Sequence, residues 1–235
     1  MIQLHPKIAN VQTNFKERTV DVQKYFLKQE VMAATFDFLE VVRPVRLTTT
    51  YFDTPDGKLF ADQFRKTKRR FKIRSRVVGD GMPVLEVKVK GSLHPQRIWT
   101  AEPGMTLENG GREFVRHVID TAFDPLFVRR IEQDLQAVAT TTFDRASYLS
   151  LDELHLFDFD TNVELSTSKS SAVMKPEYTL LELSNASSDQ VVPADWKPRK
   201  FSKFGATLDL LTGERIRSHK LGLLEKIFEI KQISQ

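Results

Sequence analysis

Arg69-Arg70-Phe71-Lys72-Ile73-Arg74-Ser75-Arg76-Val77-Val78, then Gly79-Asp80-Gly81, then Pro83-Val84-Leu85-Glu86-Val87-Lys88-Val89-Lys90 is the stretch that decides the fold. Gly-Asp-Gly between two β-prone runs is a hairpin signal, so residues 69–78 and 83–90 read as adjacent antiparallel strands. Side chains along a strand alternate between its two faces. Arg70, Lys72, Arg74 and Arg76 therefore share one face, and Phe71, Ile73 and Val77 fall toward the other. The return strand repeats the pattern, with Glu86, Lys88 and Lys90 on one side of it. Water or a bound polyanion can offset four neighbouring cations, and on the first strand alone the two readings weigh equally. The second strand shifts the balance. Two neighbouring strands that are charged on one face and apolar on the other suit a sheet with a polar interior and helices packed outside it.

Working outward, residues 12–22 read as a strand. Residues 23–41 read as a helix from the spacing of Phe26, Leu27, Val31, Ala34, Phe38 and Leu39, ended at Arg43-Pro44. Residues 46–53 read as a strand followed by the turn Thr54-Pro55-Asp56-Gly57. Residues 110–138 read as helical with an interruption at Asp124-Pro125. Strands follow at 139–148, 154–165 and 177–184, and Glu214 to Lys231 reads as an amphipathic helix. Seven or eight strands linked mostly by turns, with three helical insertions, predict an α+β domain. Its antiparallel sheet is expected to close into a β-barrel tunnel with flanking helices, because closure removes exposed edges. Nothing forces a second domain, so residues 1–235 read as one.

The chain has 40% hydrophobic and 28% charged residues, an ordinary globular balance. It has no cysteine, which excludes disulfides, thiolate zinc sites and cysteine nucleophiles, and fits a cytoplasmic protein. No apolar run is long enough for a transmembrane segment, and the first residues lack the apolar core of a signal peptide. The net charge is only +4, yet eight of the twelve positions from Arg65 to Arg76 are Lys or Arg, and Asp152 to Glu164 is strongly acidic. Concentrated basic patches on a modest net charge point to a local anionic ligand rather than to nucleic acid. The basic strand also lacks the interleaved aromatic platform that single-stranded nucleic acid needs. There is no phosphate-binding P-loop, no dinucleotide glycine motif and no serine elbow, and His5, His94, His117, His155 and His219 show no metal-ligand spacing.

Three further places carry chemistry. Glu182 sits among Leu180, Leu181 and Leu183, where a carboxylate is costly unless paired or bound to a metal. A hard oxygen ligand there suits Mg²⁺ or Mn²⁺ bound with phosphates. Arg145 lies in a strand otherwise uncharged apart from Asp144. Arg199-Lys200-Phe201-Ser202-Lys203-Phe204-Gly205 combines two lysines and a hydroxyl. Lys200 and Lys203 reach one side only if this segment forms a helical turn, which Gly205 is expected to end.

Tyr51-Phe52-Asp53-Thr54, Lys72-Ile73-Arg74-Ser75-Arg76, Leu85-Glu86-Val87-Lys88, Asp144-Arg145, Leu181-Glu182-Leu183 and Lys200-Phe201-Ser202-Lys203-Phe204, in that order, resemble the VTC domain. This is the polyphosphate polymerase domain of the triphosphate tunnel, or CYTH-like, superfamily. The resemblance implies a tunnel of antiparallel strands that binds ATP, triphosphate or polyphosphate. It implies Arg74, Arg76, Lys88, Arg145, Lys200 and Lys203 as the phosphate-handling residues, Ser202 as an assisting contact, and Glu182 as the ligand of Mn²⁺ or Mg²⁺. A basic residue belongs on the first strand, where Lys16 and Arg18 are the candidates. Arg70, Lys72 and Lys90 extend the charged faces, and Arg97 stands where the family carries a Lys-x-Arg pair, here Gln96-Arg97-Ile98. The family's Arg-x-Thr-x-Asp strand reads Leu156-Phe157-Asp158-Phe159-Asp160, which keeps the Asp and lacks the Arg. The Glu-x-Glu-x-Lys signature of the related triphosphatases and cyclases is not visible near Glu17.

Three activities stay open at this point: a polymerase that moves the γ-phosphoryl of ATP onto a phosphate chain, a triphosphate or polyphosphate hydrolase, and a non-catalytic polyphosphate or nucleotide binder. The resemblance also implies a membrane partner protein.

Overall fold

The computed structural model describes residues 1–6, 18–20, 22–38, 40–64, 70–90, 96–122, 135–152, 154–184, 192–199, 201–211 and 221–232. In chain order the elements are β1 (Ile2–Pro6), β2 (Arg18–Val20), β3 (Val22–Lys28), α1 (Gln29–Thr35), β4 (Phe36–Phe38), β5 (Val45–Asp53), α2 (Lys58–Phe64), β6 (Arg70–Val78), β7 (Val84–Lys90), β8 (Gln96–Thr100), α3 (Gly111–Ala122), β9 (Gln136–Ser150), β10 (Leu156–Ser166), β11 (Ser170–Met174), β12 (Tyr178–Ser184), α4 (Lys203–Leu211), α5 (Leu221–Ile227) and β13 (Phe228–Gln232). This is the α+β, largely antiparallel architecture that the sequence predicts; β1 with β4 is a parallel exception. The residues group into two compact units. The first comprises 1–11, 21–47 and 141–235, and the second 12–20 and 48–140. β5 and β9 each run from one into the other.

In the second unit the strand order is β5-β6-β7-β8-β2. The hairpin of β6 and β7 pairs Arg70 with Lys90, Lys72 with Lys88, Arg74 with Glu86 and Arg76 with Val84. On the reverse face Ile73, Leu85, Val87 and Val89 are buried against Leu59 of α2 and Phe114, Val115, Val118 and Ile119 of α3. The helices thus cover the apolar face of the hairpin and leave the charged one to its own partners.

In the first unit β10 pairs with β9 along one edge. Its other edge is shared by β12, against Leu156–Asp160, and by β11, against Glu164–Ser166. Asn162 sits between these two pairings at φ +49°, a left-handed conformation that Asn tolerates better than most residues. β12 pairs in turn with β3, and β11 with β13. One face carries a core of Leu4, Tyr25, Leu27, Phe36, Tyr148, Phe157, Phe159, Leu181 and Leu183. The aromatic rings there meet largely edge-to-face, as Phe36 does with Phe159 at 5.1 Å. A second core joins Phe143, Val163, Leu165 and Met174 to α4 and α5. Among the described residues neither unit's ladder closes on itself, β13 pairing with β11 alone and β2 with β8 alone. No helix among them is long and apolar enough to cross a membrane.

Several elements differ from the sequence expectation. Within 23–41 the described residues form β3, α1 and β4 rather than one helix. Tyr25 and Leu27 alternate with Lys24 and Phe26, and a seven-residue ladder with β12 outweighs the weak helical spacing. The stretch from Glu214 ends as strand β13, held by five pairs with β11. β9 begins at Gln136, inside the range read as helix. Helix α2 was not anticipated. It exists because Asp53, 1% exposed, caps it. One Asp53 carboxyl oxygen accepts from the backbone N–H of Thr54 (2.7 Å) and Leu59 (2.8 Å), and the other from Phe60 (2.9 Å). Gly57, at φ +66°, closes the turn with its N–H 2.9 Å from the Thr54 carbonyl. Replacing Asp53 with Ala orphans three N–H groups and is expected to cost about 2–3 kcal/mol. Urea unfolding of D53A checks this by a lower midpoint at unchanged slope.

Candidate anion-binding site

Three strands of the first unit bring ionisable residues into one row. Lys24 on β3 lies opposite Glu182 on β12, and Glu182 lies opposite Asp158 on β10. Strand alternation makes this possible. Tyr25, Leu27, Phe157, Phe159, Leu181 and Leu183 turn into the aromatic core, so Lys24, Asp158, Asp160 and Glu182 turn to the opposite face. Arg145, from β9, spans the row. Its Nε and Nη2 grip the two oxygens of Asp160 at 2.6 and 2.8 Å, its Nη1 reaches Asp158 at 2.8 Å, and its Nη2 also reaches Glu182 at 3.0 Å. Ser147, two residues along β9, donates to the other Asp158 oxygen at 2.6 Å.

Lys203 arrives from the first turn of α4. Its Nζ lies 2.6 Å from Asp160 and 2.8 Å from Glu182, and 4.1 Å from the centre of the Phe143 ring, a cation–π contact. Lys24 completes the set with an ion pair to Glu182. Three cations and three carboxylates thus balance within one cluster. Asp160 is fully buried and Glu182 is 15% exposed in its side chain.

The electrostatics follow from burial against pairing. Burial alone would raise the Glu182 carboxyl, but the charges of Lys203, Lys24 and Arg145 outweigh it and hold the pKa well below the usual carboxylate range. Burial would lower the Arg145 guanidinium, and Asp160, Glu182 and Asp158 overcome it and hold that pKa well above its usual value. For Lys24 burial prevails over Glu182, and its pKa is lowered. All three cations are thus held by charge-assisted hydrogen bonds to carboxylates.

The segment before α4 fixes Lys203 in place. Phe201 packs edge-on against Phe26 at 4.8 Å, and Phe204 is buried. Ser202 is the helix N-cap, its Oγ accepting from the Gly205 N–H at 3.0 Å. Phe201 and Ser202 precede α4, which begins only at Lys203, so the helical turn expected to bring Lys200 and Lys203 to one side is not seen among the described residues, and Gly205 lies within α4 rather than ending it. The Ser202 hydroxyl therefore serves the backbone. Lys16 and Lys200 lie outside the described residues. Arg18 occupies a register position opposite Ile98 on β8.

Arg70, Lys72, Arg74, Arg76, Lys88 and Lys90 all belong to the second unit. There Arg74 lies 2.5 Å from Glu86, both largely buried, and Arg76 is 3.7 Å from the same carboxylate. Burial lowers the Arg74 pKa and Glu86 and Tyr51 more than restore it, so it stands raised. Arg74 and Arg76 are thus turned toward a buried carboxylate and not toward bulk water. Arg97 pairs with Val89 and so shares the apolar, helix-covered face rather than that of Lys88.

Sequence reasoning missed Lys24, Asp158 and the bonding role of Glu86, and kept Asp160 as a motif residue without a partner. Each was legible as alternation. Lys24 alternates with Tyr25, and Asp158 and Asp160 alternate with Phe157 and Phe159. The helical reading of 23–41 hid the first, and reading 152–164 as a separate acidic patch hid the others.

The model of the VTC domain family matches residues 15–212. No curated protein sequence matches the chain. Among solved structures, the PH1819 protein of Pyrococcus horikoshii aligns at 13% identity and TM-score 0.48, covering 82% of this chain and 98% of its own. HpAC1 of Hippeastrum, described as having a dominant triphosphatase activity, aligns at 13% identity and TM-score 0.46, with 81% and 95% covered. The inorganic triphosphatase NE1496 aligns at 13% identity and TM-score 0.34, with 81% and 95% covered.

Removing the Glu182 charge leaves three cations with two carboxylates. E182Q is expected to lose about 3 kcal/mol of stability. The folded-state pKa of Glu182 lies below its unfolded value, so its contribution is full above roughly pH 4.5 and fades as pH falls through the lower folded value. Chemical denaturation of both proteins across pH checks this: the stability gap between them is constant near neutrality and narrows on strong acidification.

Proposed function

We propose that this chain, which belongs to the VTC domain family, binds the phosphate chain of ATP and of polyphosphate on its buried cations and transfers the γ-phosphoryl group onto a phosphate-chain acceptor. The supporting observation is the convergence of Lys24, Arg145 and Lys203 on one buried, charge-balanced cluster. In the transfer, a terminal oxygen of the acceptor chain attacks the γ-phosphorus, the bond to the β-phosphate oxygen breaks, and ADP leaves. Such chemistry asks a protein mainly for positioning and charge neutralisation. Arg145 offers a planar fork and the two lysines offer point charges, all preorganised away from bulk water.

A neutral cluster does not accept a polyanion without added positive charge. As folded, both oxygens of Glu182 are taken by Lys24, Lys203 and Arg145. Phosphate oxygens that take over these cations free Glu182 and its cross-strand neighbour Asp158 as hard oxygen donors. The residues therefore fit Mg²⁺ or Mn²⁺ jointly with phosphate, in the manner of sites that combine one or two carboxylates with substrate oxygens. When bound, the ion would neutralise charge on the phosphates. Arg74, Arg76 and Lys88, with Arg70, Lys72 and Lys90 beside them, are proposed as further phosphate contacts by the same logic, Glu86 being the internal anion there.

The deciding experiment incubates pure protein with ATP and Mn²⁺ or Mg²⁺ and assays chain polymer and free phosphate separately. Polymer with release of ADP is the expected result. Free phosphate alone assigns a hydrolase, and tripolyphosphate binding without turnover assigns a binder. Two binding measurements accompany it. K203A is expected to weaken tripolyphosphate binding in the presence of Mg²⁺ roughly 10- to 100-fold by calorimetry, the value of one charge-assisted contact. Mn²⁺ affinity, read by electron paramagnetic resonance, is expected to rise at least about tenfold when tripolyphosphate is present, because phosphate and metal enter together.

A further inference from the structure

One edge of β3 pairs with β12 over the whole strand. At the other edge the Lys24 carbonyl accepts from the Arg199 N–H at 2.7 Å. In an antiparallel ladder the N–H and C=O of a residue point the same way, and the direction alternates along the strand. Lys24 therefore fixes the pattern. Phe26, two residues on, aims both its backbone groups away from β12, and Lys28 aims its N–H likewise. Gln29 agrees in the opposite sense: its N–H bonds the Glu177 carbonyl at 3.1 Å, on the side that leads into β12. Among the described residues nothing continues the pairing at Phe26 after Arg199.

A cavity of about 240 Å³ opens at this edge instead, with Tyr25, Phe26, Lys28, Trp196, Lys197 and Arg199 in its wall. The wall holds three cations and no carboxylate. Lys28 has an exposed neighbour in Glu30 at 3.8 Å, a pair of little strength. Trp196 is a fixed apolar surface, its ring 5.7 Å from Tyr25 and 6.0 Å from Phe36. Lys197 and Arg199 are exposed.

We propose that this edge takes an extended acidic segment of a partner protein, added to β3 as a further strand, with an apolar side chain seated against Trp196. Backbone donors and acceptors that recur at every second residue are a template for another main chain, and Tyr25 to Lys28 offers about 10 Å of it. The three cations select acidic side chains along that strand. The inference does not depend on the phosphoryl-transfer reading.

The test measures fluorescence anisotropy of a labelled short peptide of alternating glutamate and valine with the full chain. Three comparisons accompany it: the same peptide N-methylated at alternate residues, a lysine–valine counterpart, and the double variant K197E/R199E. The glutamate peptide is expected to bind and the lysine peptide not. N-methylation and the double charge reversal are each expected to weaken binding at least ~tenfold, with tripolyphosphate affinity of the variant unchanged. The proposal is overturned if the glutamate peptide does not bind or if N-methylation has no effect. Displacement of the peptide by ATP alone overturns it too, since the cavity is then a nucleotide subsite. The N-methylated peptide reads the edge on the unaltered protein, so the result stands even if the double variant misfolds.

Discussion

Glu182 accepts from Lys24, Lys203 and Arg145 at once, and the arrangement of the first unit is organised around making that possible. A carboxylate with this little access to water is costly to bury alone, and so is each of the cations. Together they satisfy one another, but only if β3, β12, β10, β9 and the start of α4 are all in register. A shift of one residue in β12 would turn Glu182 into the aromatic core and Leu181 or Leu183 into the ionic row. The cluster therefore specifies register as much as it contributes stability. The aromatic core behind it supplies the burial that offsets the cost of ordering the charged groups.

The second unit repeats the idea on a smaller scale. Its hairpin buries an apolar face under α2 and α3 and leaves a row of cations on the other, and Glu86 takes Arg74 and Arg76 as partners. In both units internal carboxylates hold cations out of the water: Lys24, Arg145 and Lys203 in the first, Arg74 and Arg76 in the second. Such carboxylates keep long, flexible side chains in place, which on the proposed function would reduce the entropy lost when phosphate binds. On the proposed function they also make affinity a matter of exchange, in which a phosphate oxygen would have to outcompete a carboxylate already within hydrogen-bond distance.

Much of this was legible in the sequence where the alternation was clean. The hairpin of residues 70–90 and the strand of Glu182 were read with the right faces. The hairpin signal Gly79-Asp80-Gly81 carried the first, and the flanking leucines carried the second. Where two periods compete the reading failed. Phe26, Leu27 and Val31 fit a helix as well as a strand, and only the ladder with β12 decides, which is a non-local contact. The short strands β1, β8 and β11 carry too few residues to show a period. The pairing of Arg145 with Asp158 and Asp160 was hidden for a related reason. Arg145 is a lone cation in a nearly uncharged strand and Asp158 and Asp160 lie in an acidic stretch, and only the fold brings residues 145 and 158–160 together. The cap at Asp53 was visible only as part of a motif, since a buried Asp ahead of a Pro-containing turn reads as turn chemistry alone.

The central claim is that phosphate replaces internal carboxylates on shared cations. Carbon-13 spectra of protein labelled at Asp and Glu carboxyl groups test it directly during titration with tripolyphosphate in the presence of Mg²⁺. The account predicts that the resonances of Asp158, Asp160 and Glu182 shift together as the anion binds, while that of the capping residue Asp53 stays in place. Saturable binding of tripolyphosphate that leaves those three resonances unmoved would contradict it.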